Sequence, residues 1–321
     1  MKKVGVAVIG VGFWGRNHAR VFSELPESEL VAVCDINPET AKFVAEKFDV
    51  EAYTDSKKLL KREDVEAVSI CTWTTTHAKE AVRALKAGKH VLVEKPIAST
   101  VAEAKKIVGM AEKEKRILMV GFIERFNPGV ERTYEMIKKG KIGAVVSATA
   151  KRVSEWPERI GDVGVVKDSA IHDIHVICSL FEEDPTTIFA RTGRLKHKRF
   201  EDYAQIMLTF SHGKTAFIEA NWLTPYKTRQ LIVTGSRGII KLDYLTQEIA
   251  LETAQQALMP RHKWEEPLKR ELDHFVKCVK TNKKPLVDGI EGLKALIICE
   301  AALKSANQNK ALNLNKILKI D

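Results

Sequence analysis

The chain has 321 residues, of which 45% are hydrophobic and 29% charged, and its 52 basic and 42 acidic side chains give a net charge of +10. This length accommodates two domains with sizeable cores, and this composition excludes a disordered chain and indicates a globular protein. No apolar run reaches membrane-spanning length and no signal-peptide pattern precedes the first strand, so neither a membrane nor an export route is expected.

Five cysteines are scattered along the chain without a Cys-x-x-Cys spacing. This usage predicts free thiols in a reducing cytoplasm and disfavours a disulfide framework or a zinc site. The positive charge favours an anionic partner such as a nucleotide, a sugar phosphate or a nucleic acid, with a solvated lysine-rich surface as the alternative. Basic clusters at 138–141 and 194–199 are short, lie at turns and lack interleaved aromatic residues, so a nucleic acid is not an expected partner.

A glycine-rich turn, Gly10-Val11-Gly12-Phe13-Trp14-Gly15, follows the first predicted strand at 4–9 and opens a helical pattern. In a dinucleotide-binding turn the first glycine allows the tight turn, the second admits a pyrophosphate to the backbone, and the third lets helix and strand pack closely. The free N–H groups and positive dipole end of the helix then face the phosphates. The alternative is a glycine turn that binds nothing.

Asp35 directly follows the second predicted strand, 30–34, and lies twenty residues beyond Gly15. A carboxylate at this place accepts hydrogen bonds from the ribose hydroxyls of NAD and repels the 2′-phosphate of NADP. Strand, turn, helix, strand and acid occur in the expected order, which predicts a dinucleotide site that takes NAD in preference to NADP.

Strands continue to alternate with helices up to residue 121, which predicts a doubly wound parallel sheet in a Rossmann domain at 1–121. The further predicted strands are 67–71, 90–93 and 117–120, and the helices between strands are 39–47, 77–87 and 101–113. Ligands bind beyond the carboxyl ends of such strands. Residues at two further strand ends are therefore candidates for binding the cofactor: Thr72, Trp73, His77, Glu94 and Lys95. The alternative for the first of these segments is that Thr75 or Thr76 caps the next helix.

Beyond residue 121 the pattern changes to consecutive strands, which predicts an α+β domain at 122–321 with a mostly antiparallel open sheet. The predicted strands are 145–152, 187–192, 204–210, 215–222, 230–234, 239–242 and 249–251. A helix is predicted at 127–139. Two final helices are predicted at 265–281 and 289–307, and packing of these helices against the first domain is compatible with the prediction.

A second group of chemically active side chains lies within 166–175. Asp168 and His172 are four residues apart, so a helix would place them on one face, where a carboxylate can orient an imidazole that acts as general base. The alternative is an ordinary helix start, with Asp168 as the N-cap and His172 as a partly buried polar residue. His175 and Asp173 leave the choice of base open. No third ligand has a telling spacing, so no metal is expected.

The chain resembles the Gfo/Idh/MocA oxidoreductase family over nearly its whole length. The resemblance is carried by the glycine turn, Asp35, Glu94-Lys95-Pro96 and Asp168-x-x-x-His172. It implies a catalytic set of Lys95, Asp168 and His172, and a second-domain sheet that forms homodimers or homotetramers. The family often has Thr-Pro-Asn where this chain has Thr72-Trp73-Thr74. A non-catalytic NAD-binding regulator is the alternative from another functional class.

Two segments, 121–128 and 152–165, are similar to family members that oxidise the 3-hydroxyl of UDP-N-acetylglucosamine. The substrate-contacting residues suggested by this resemblance and by side-chain chemistry are Arg125, Arg152, Trp156, Arg159 and His175. Arginines pair well with a diphosphate, and an indole stacks on a sugar or a base. The alternatives are a rigid Trp-Pro loop with surface arginines, and a myo-inositol or free-aldose substrate.

Overall fold

The computed structural model describes residues 3–157, 161–260 and 263–319 of the chain. It divides into two compact units. The first comprises Met1–Ile123 and Glu266–Leu293, and the second comprises Glu124–Glu265 and Lys294–Asp321. Each unit is built on one β-sheet.

The sheet of the first unit has six parallel strands in the order β3-β2-β1-β4-β5-β6. The strands are β1 Val4–Ile9, β2 Ser28–Cys34, β3 Glu51–Tyr53, β4 Ala67–Ile70, β5 His90–Glu94 and β6 Leu118–Gly121. The strand order reverses direction between β1 and β4, and this is the point at which doubly wound sheets bind their ligands. The predicted doubly wound parallel sheet is confirmed.

Six helices belong mainly to this unit: α1 Phe13–Glu24, α2 Pro38–Phe48, α3 Ser56–Leu59, α4 Thr74–Lys86, α5 Val101–Lys113 and α8 Pro267–Thr281. Sequence signals fix several of their starts. Asn37 caps α2 by accepting from the N–H groups of Glu39 and Thr40, and Thr100 with Glu103 forms a capping box on α5. Helix α8 packs against α1, so the last part of the chain contributes to the core of this unit.

Two elements of the first unit, β3 and α3, are absent from the sequence prediction. Both are short, with 3 and 4 residues. Strand β3 lies at the edge of the sheet and its side chains are largely exposed. Neither element is long enough to produce a hydrophobic period.

The second unit contains a nine-stranded sheet in the order β14-β13-β12-β11-β7-β10-β9-β8-β15. Its strands are β7 Val145–Val153, β8 Thr187–Gly193, β9 Tyr203–Thr209, β10 Thr215–Asn221, β11 Thr228–Gly235, β12 Gly238–Asp243, β13 Ile249–Thr253, β14 Ala257–Leu258 and β15 Leu312–Asn313. Strands β7 and β10 pair in parallel, and the other pairs are antiparallel. The predicted mostly antiparallel sheet is confirmed.

Helices α6 Pro128–Lys138 and α7 Ile171–Phe181 belong to the second unit, and α9 Gly289–Gln308 begins in the first unit and continues into the second. Alanines at alternate positions of β7 and β10 are buried, among them Ala148, Ala150 and Ala216. These small side chains let α7 pack closely on the centre of the sheet. Within the described residues, no helix is both long and apolar enough to cross a membrane.

Candidate active site

The glycine turn after β1 has the geometry that its three glycines require. Gly10 has φ +86, and a Cβ there would lie 2.8 Å from the backbone of Cys71 and Thr72. A Cβ on Gly15 would lie 1.9 Å from the carbonyl oxygen of Gly10. Gly12 differs, because its Cβ would meet no described atom within 4 Å. Gly10 and Gly15 therefore shape the turn, whereas Gly12 leaves open space above it.

That open space lies at the N-terminus of α1. Gly12 is the N-cap and provides no side-chain cap, and the first turn contains no acidic residue. The first N–H groups of a helix have no partner within the helix, so they can bind an anion. The residues present fit the pyrophosphate of a dinucleotide. Phe13, the first helical residue, is 68% exposed at the same place.

Asp35 has a structural role that the sequence did not reveal. Its Oδ2 accepts a hydrogen bond from the backbone N–H of Val11 at 2.9 Å, and its Oδ1 accepts from Asn37 N–H at 3.0 Å. The carboxylate thus braces the glycine turn from the end of β2. Each carboxylate oxygen accepts more than one hydrogen bond, so this brace leaves capacity for ribose hydroxyls.

Glu94, at the end of β5, belongs to a buried polar network with α1. Its Oε1 accepts from Trp14 Nε1 at 2.8 Å and lies 3.1 Å from His18 Nε2. His18 Nδ1 lies 2.8 Å from the hydroxyl of Ser69 in β4, and the N–H of Lys95 donates to Glu94 Oε2 at 3.2 Å. The sequence prediction did not include His18 or Ser69.

This network favours an ion pair. Burial works against a charge on His18, but the neighbouring Cys71 and Glu94 outweigh it and raise its pKa well above the ordinary value. Burial likewise opposes the charge of Glu94, but His18 and Lys95 outweigh it and lower its pKa. The Trp14 and Glu94 side chains assigned to the cofactor site are therefore also structural partners of each other.

The strand-end residues after β4 and β5 are tied together by His77. Its ring is 1% exposed and bridges the carbonyl oxygens of Thr72, at 3.0 Å, and Pro96, at 2.9 Å. This geometry favours a positioning role for His77. Trp73 is 56% exposed, and Lys95 is half-buried ahead of a cis peptide bond to Pro96. Their cofactor contacts stay predictions.

In the second unit, Asp168 lies in a π-helical turn, Val166–Ala170, that leads directly into α7. Its N–H donates to the carbonyl of Gly164 at 2.9 Å, and the N-cap position is occupied by Val165. The alternative that Asp168 is the N-cap is therefore wrong, because the helical backbone starts before it. Single π-helical turns occur often at functional sites.

Two hydrogen bonds in series reach Asp168 from the sheet. Trp222, which follows β10 and is 1% exposed, donates from Nε1 to Ser169 Oγ at 3.2 Å. Ser169 Oγ in turn donates to Asp168 Oδ2 at 3.1 Å. The sequence prediction included neither residue, although a serine next to the candidate carboxylate was an available signal. The series holds the Asp168 carboxylate in one orientation.

Arg152 does not have the setting that was expected of a substrate-binding arginine. Its side chain is 4% exposed. It donates from Nε and Nη2 to the two carboxylate oxygens of Asp173, at 2.7 and 3.2 Å, and from Nη1 to Glu124 at 2.9 Å. Arg229 also donates to Glu124, at 3.3 Å. The geometry favours a structural role for Arg152 under the sheet, and its predicted contact with a diphosphate is untested.

The charges of the carboxylates and arginines around Arg152 shift the pKa values of the groups in this buried cluster. Burial disfavours the Arg152 cation, but Asp173 and Glu124 outweigh it and raise its pKa above the ordinary value. Burial, followed by the charge of Arg152, lowers the pKa of Arg229. The ring of Tyr244 lies 5.0 Å from the Arg152 guanidinium carbon, and burial, followed by the charge of Asp173, raises the pKa of Tyr244 well above its ordinary value.

The other predicted substrate residues have varied settings. His172 and His175 are buried in α7, at 8% and 3% exposure. Arg125 is half-buried in a short 3₁₀ turn. Trp156 packs against Trp222 and against His197. Arg159 lies outside the described residues.

Two family models match this chain. One, described as an oxidoreductase family with an NAD-binding Rossmann fold, matches residues 4–122. The other, described as the GFO/IDH/MocA C-terminal domain, matches residues 130–241.

The chain belongs to the Gfo/Idh/MocA oxidoreductase family. The predicted family, its oxidoreductase activity and the NAD cofactor are thereby confirmed. The open space at Gly12 and the braced turn at Asp35 are the features of this Gfo/Idh/MocA protein that fit the cofactor.

Two of the similar relatives are named as dehydrogenases of a cyclitol and of a nucleotide sugar. The myo-inositol 2-dehydrogenase of Thermotoga maritima is 28% identical, with 98% of this chain and 99% of that protein covered. The UDP-N-acetylglucosamine 3-dehydrogenase of Acidithiobacillus ferrooxidans is also 28% identical, with 90% and 93% covered. A structure of the latter enzyme superposes with a TM-score of 0.88 at 26% identity, covering 96% of this chain and 99% of that one. Both relatives are dehydrogenases, in agreement with the oxidoreductase family to which the chain belongs.

Proposed function

We propose that this protein oxidises the 3-hydroxyl of UDP-N-acetylglucosamine with NAD as the oxidant. The observation that carries the proposal is the similarity to the Acidithiobacillus ferrooxidans enzyme along almost the whole of both chains, in sequence and in fold. The NAD-binding turn and the positive net charge of +10 are consistent with an anionic sugar substrate.

In this proposal His172 accepts the proton of the substrate hydroxyl, and Lys95 holds and polarises the same oxygen. Asp168, oriented by Ser169 and Trp222, stabilises the imidazolium that His172 becomes. Bound NAD supplies the acceptor for the hydride that leaves the ring carbon. Lys95 belongs to the first unit and the other two residues to the second, so their joint action is part of the proposal. His175 is the competing candidate for the base.

A second candidate substrate is myo-inositol or a free aldose. The relative from Thermotoga maritima favours it, because its identity is also 28% and its coverage is nearly complete. The two candidates differ in charge, since a cyclitol is neutral and a UDP-sugar carries a diphosphate.

The test is the absorbance of NADH formed by purified protein with NAD and each candidate substrate. A 2-oxoglutarate-dependent aminotransferase is added to remove the ketone formed from the UDP-sugar. Turnover of UDP-N-acetylglucosamine and none of myo-inositol supports the proposal, and the reverse result replaces the substrate.

Two variants test the mechanism. We expect Lys95→Ala and His172→Ala to abolish turnover while NAD still binds, with His175→Ala as the comparison for the choice of base. If the native protein binds NAD tightly but forms no NADH with any of these candidate substrates, we would assign it as a non-catalytic regulator.

We also propose that the protein is a homodimer or homotetramer that associates through the nine-stranded sheet in the cytoplasm. One cross-strand row on the outer face of β8, β9, β10, β7 and β11 consists of Phe189, Met207, Phe217, Thr149 and Ile232. Phe217 is 47% exposed and Ile232 is 36% exposed. A row in which four of five side chains are apolar is typical of a surface covered by a partner. The test is the molar mass of the Phe217→Lys variant in solution, measured by light scattering. Association would bury the charge of the new lysine, so we expect this variant to be a monomer.

A further inference from the structure

A basic loop, residues 194–199, joins β8 to β9 in the second unit. Its cationic side chains are all exposed: Arg194, Lys196, Lys198 and Arg199. Among residues 3–157, 161–260 and 263–319, no carboxylate forms an ion pair with any of the four. Such a concentration of exposed positive charge attracts an anion.

The basic loop is held in a fixed conformation by Asp202, which is 0% exposed. The Asp202 carboxylate accepts from the backbone N–H groups of Leu195, Lys196 and His197, at distances of 2.6 to 3.0 Å. Burial opposes its charge, but these hydrogen bonds outweigh burial and lower the pKa of Asp202. The loop is therefore preorganised, and a ligand would not have to order it on binding.

A series of contacts joins the basic loop to the candidate catalytic turn of the same unit. The ring centroids of His197 and Trp156 are 4.7 Å apart. The rings of Trp156 and Trp222 pack edge to face, with centroids 5.2 Å apart. Trp222 donates to Ser169, which donates to Asp168. The basic loop is thus connected, through the His197 ring, to the residues that orient Asp168.

Three of the four cations are available for a ligand. Arg194 donates to the carbonyl oxygens of Lys198 and Arg199, at 3.2 and 3.4 Å, and so braces the loop itself. The side chains of Lys196, Lys198 and Arg199 donate no hydrogen bond within the described residues, and the Arg199 guanidinium lies 5.3 Å from the centroid of the Phe200 ring. Arg152, by contrast, is already engaged with two carboxylates.

We propose that the basic loop binds the diphosphate of a nucleoside-diphosphate sugar, with Lys196, Lys198 and Arg199 contacting the phosphate oxygens. This inference rests on the proposed function, since it locates the anionic part of that substrate. Ammonium and guanidinium groups form short, charge-assisted hydrogen bonds with phosphate oxygens. A neutral cyclitol would gain nothing from these cations.

The test is calorimetric binding of UDP and of inorganic pyrophosphate to the full-length protein saturated with NAD, so that the glycine turn is occupied. The test variant is Lys196→Gln/Lys198→Gln. The matched control is Lys105→Gln/Lys106→Gln, which removes the same charge from two exposed lysines of α5. We expect the loop variant to weaken UDP binding about tenfold or more, the control to bind as the native protein does, and both to keep the native melting temperature.

Each result bears on the inference. Native binding by the loop variant overturns it, as does failure of the NAD-saturated native protein to bind either probe. Loop-dependent UDP binding without any oxidation of UDP-N-acetylglucosamine keeps the loop site and discards the proposed substrate. Oxidation of UDP-N-acetylglucosamine with an unchanged KM in the loop variant keeps the proposed function and discards the loop site.

Discussion

Replacing Gly12 with alanine should separate cofactor binding from folding. The added methyl group meets no described protein atom within 4 Å, and the backbone of Gly12 is extended, with φ −68 and ψ −150. The free energy of unfolding should therefore change by less than about 1 kcal/mol. The same methyl group occupies the space through which a pyrophosphate approaches the N–H groups of α1.

The expected loss of NAD affinity follows from those N–H groups. A hydrogen bond to a charged group contributes about 1.5–3 kcal/mol, so the loss of one such bond weakens binding by about tenfold to a hundredfold. Two other glycines provide controls. Gly109 in α5 also has open space at its Cβ, whereas a Cβ on Gly15 would overlap the carbonyl oxygen of Gly10.

The assay compares NAD titration calorimetry with urea unfolding for the three alanine variants. Gly12→Ala should lose affinity only, Gly109→Ala should lose neither affinity nor stability, and Gly15→Ala should lose stability by about 1–3 kcal/mol. Native NAD affinity in Gly12→Ala would refute the assignment of this space to the pyrophosphate. A large loss of stability in the same variant would refute the claim that the space is open.

Three further outcomes are expected. Arg152→Met removes the cation that binds buried Asp173 and leaves Glu124 with Arg229 alone, and it should cost about 3–5 kcal/mol of unfolding free energy in urea; a loss below about 1 kcal/mol would contradict the structural role. Because the pKa of Glu94 is lowered in the fold, its charge stabilises the protein above the ordinary pKa of 4.5 and this contribution is lost as pH falls through the lowered value. Glu94→Gln should therefore flatten the plot of urea midpoint against pH below about pH 5, and an unaltered slope there would contradict the pairing of Glu94 with His18. Ser169→Ala should lower kcat about tenfold without changing NAD affinity, while Ser169→Thr keeps the hydroxyl and should restore much of the rate; equal rates in both variants would exclude orientation of Asp168 through this hydroxyl.

The fold was predictable where hydrophobic residues recur along the sequence with the period of a strand or a helix. The buried run of β1 and the glycine turn after it are local signals, because each residue's requirement is set by its own neighbours along the chain. The alternation of the second sheet was predictable for the same reason. The edge strand β3 and the four-residue helix α3 were not, since neither element is long enough for a period to develop.

The candidate site was predictable only in part, because several of its contacts join residues far apart in the chain. Arg152 reads as an exposed strand residue, yet its burial depends on Glu124 and Asp173, 28 and 21 residues away. His18 meets Glu94 at a separation of 76 residues. The charge of the basic loop was visible in the sequence, but its fixation by Asp202 and its link to Asp168 through Trp156 were not.

The brace between Asp35 and Val11 constrains how the coenzyme preference of this protein can be changed. A variant designed to accept a 2′-phosphate would normally replace Asp35 with a small or cationic residue. Here that replacement would also remove the acceptor that holds the glycine turn. Asparagine keeps one acceptor oxygen for the Val11 N–H while removing the negative charge. Evolution or engineering toward NADP would therefore have to pass through residues that retain this oxygen, and cationic substitutions would have to come from a neighbouring position such as Ile36, which is 92% exposed.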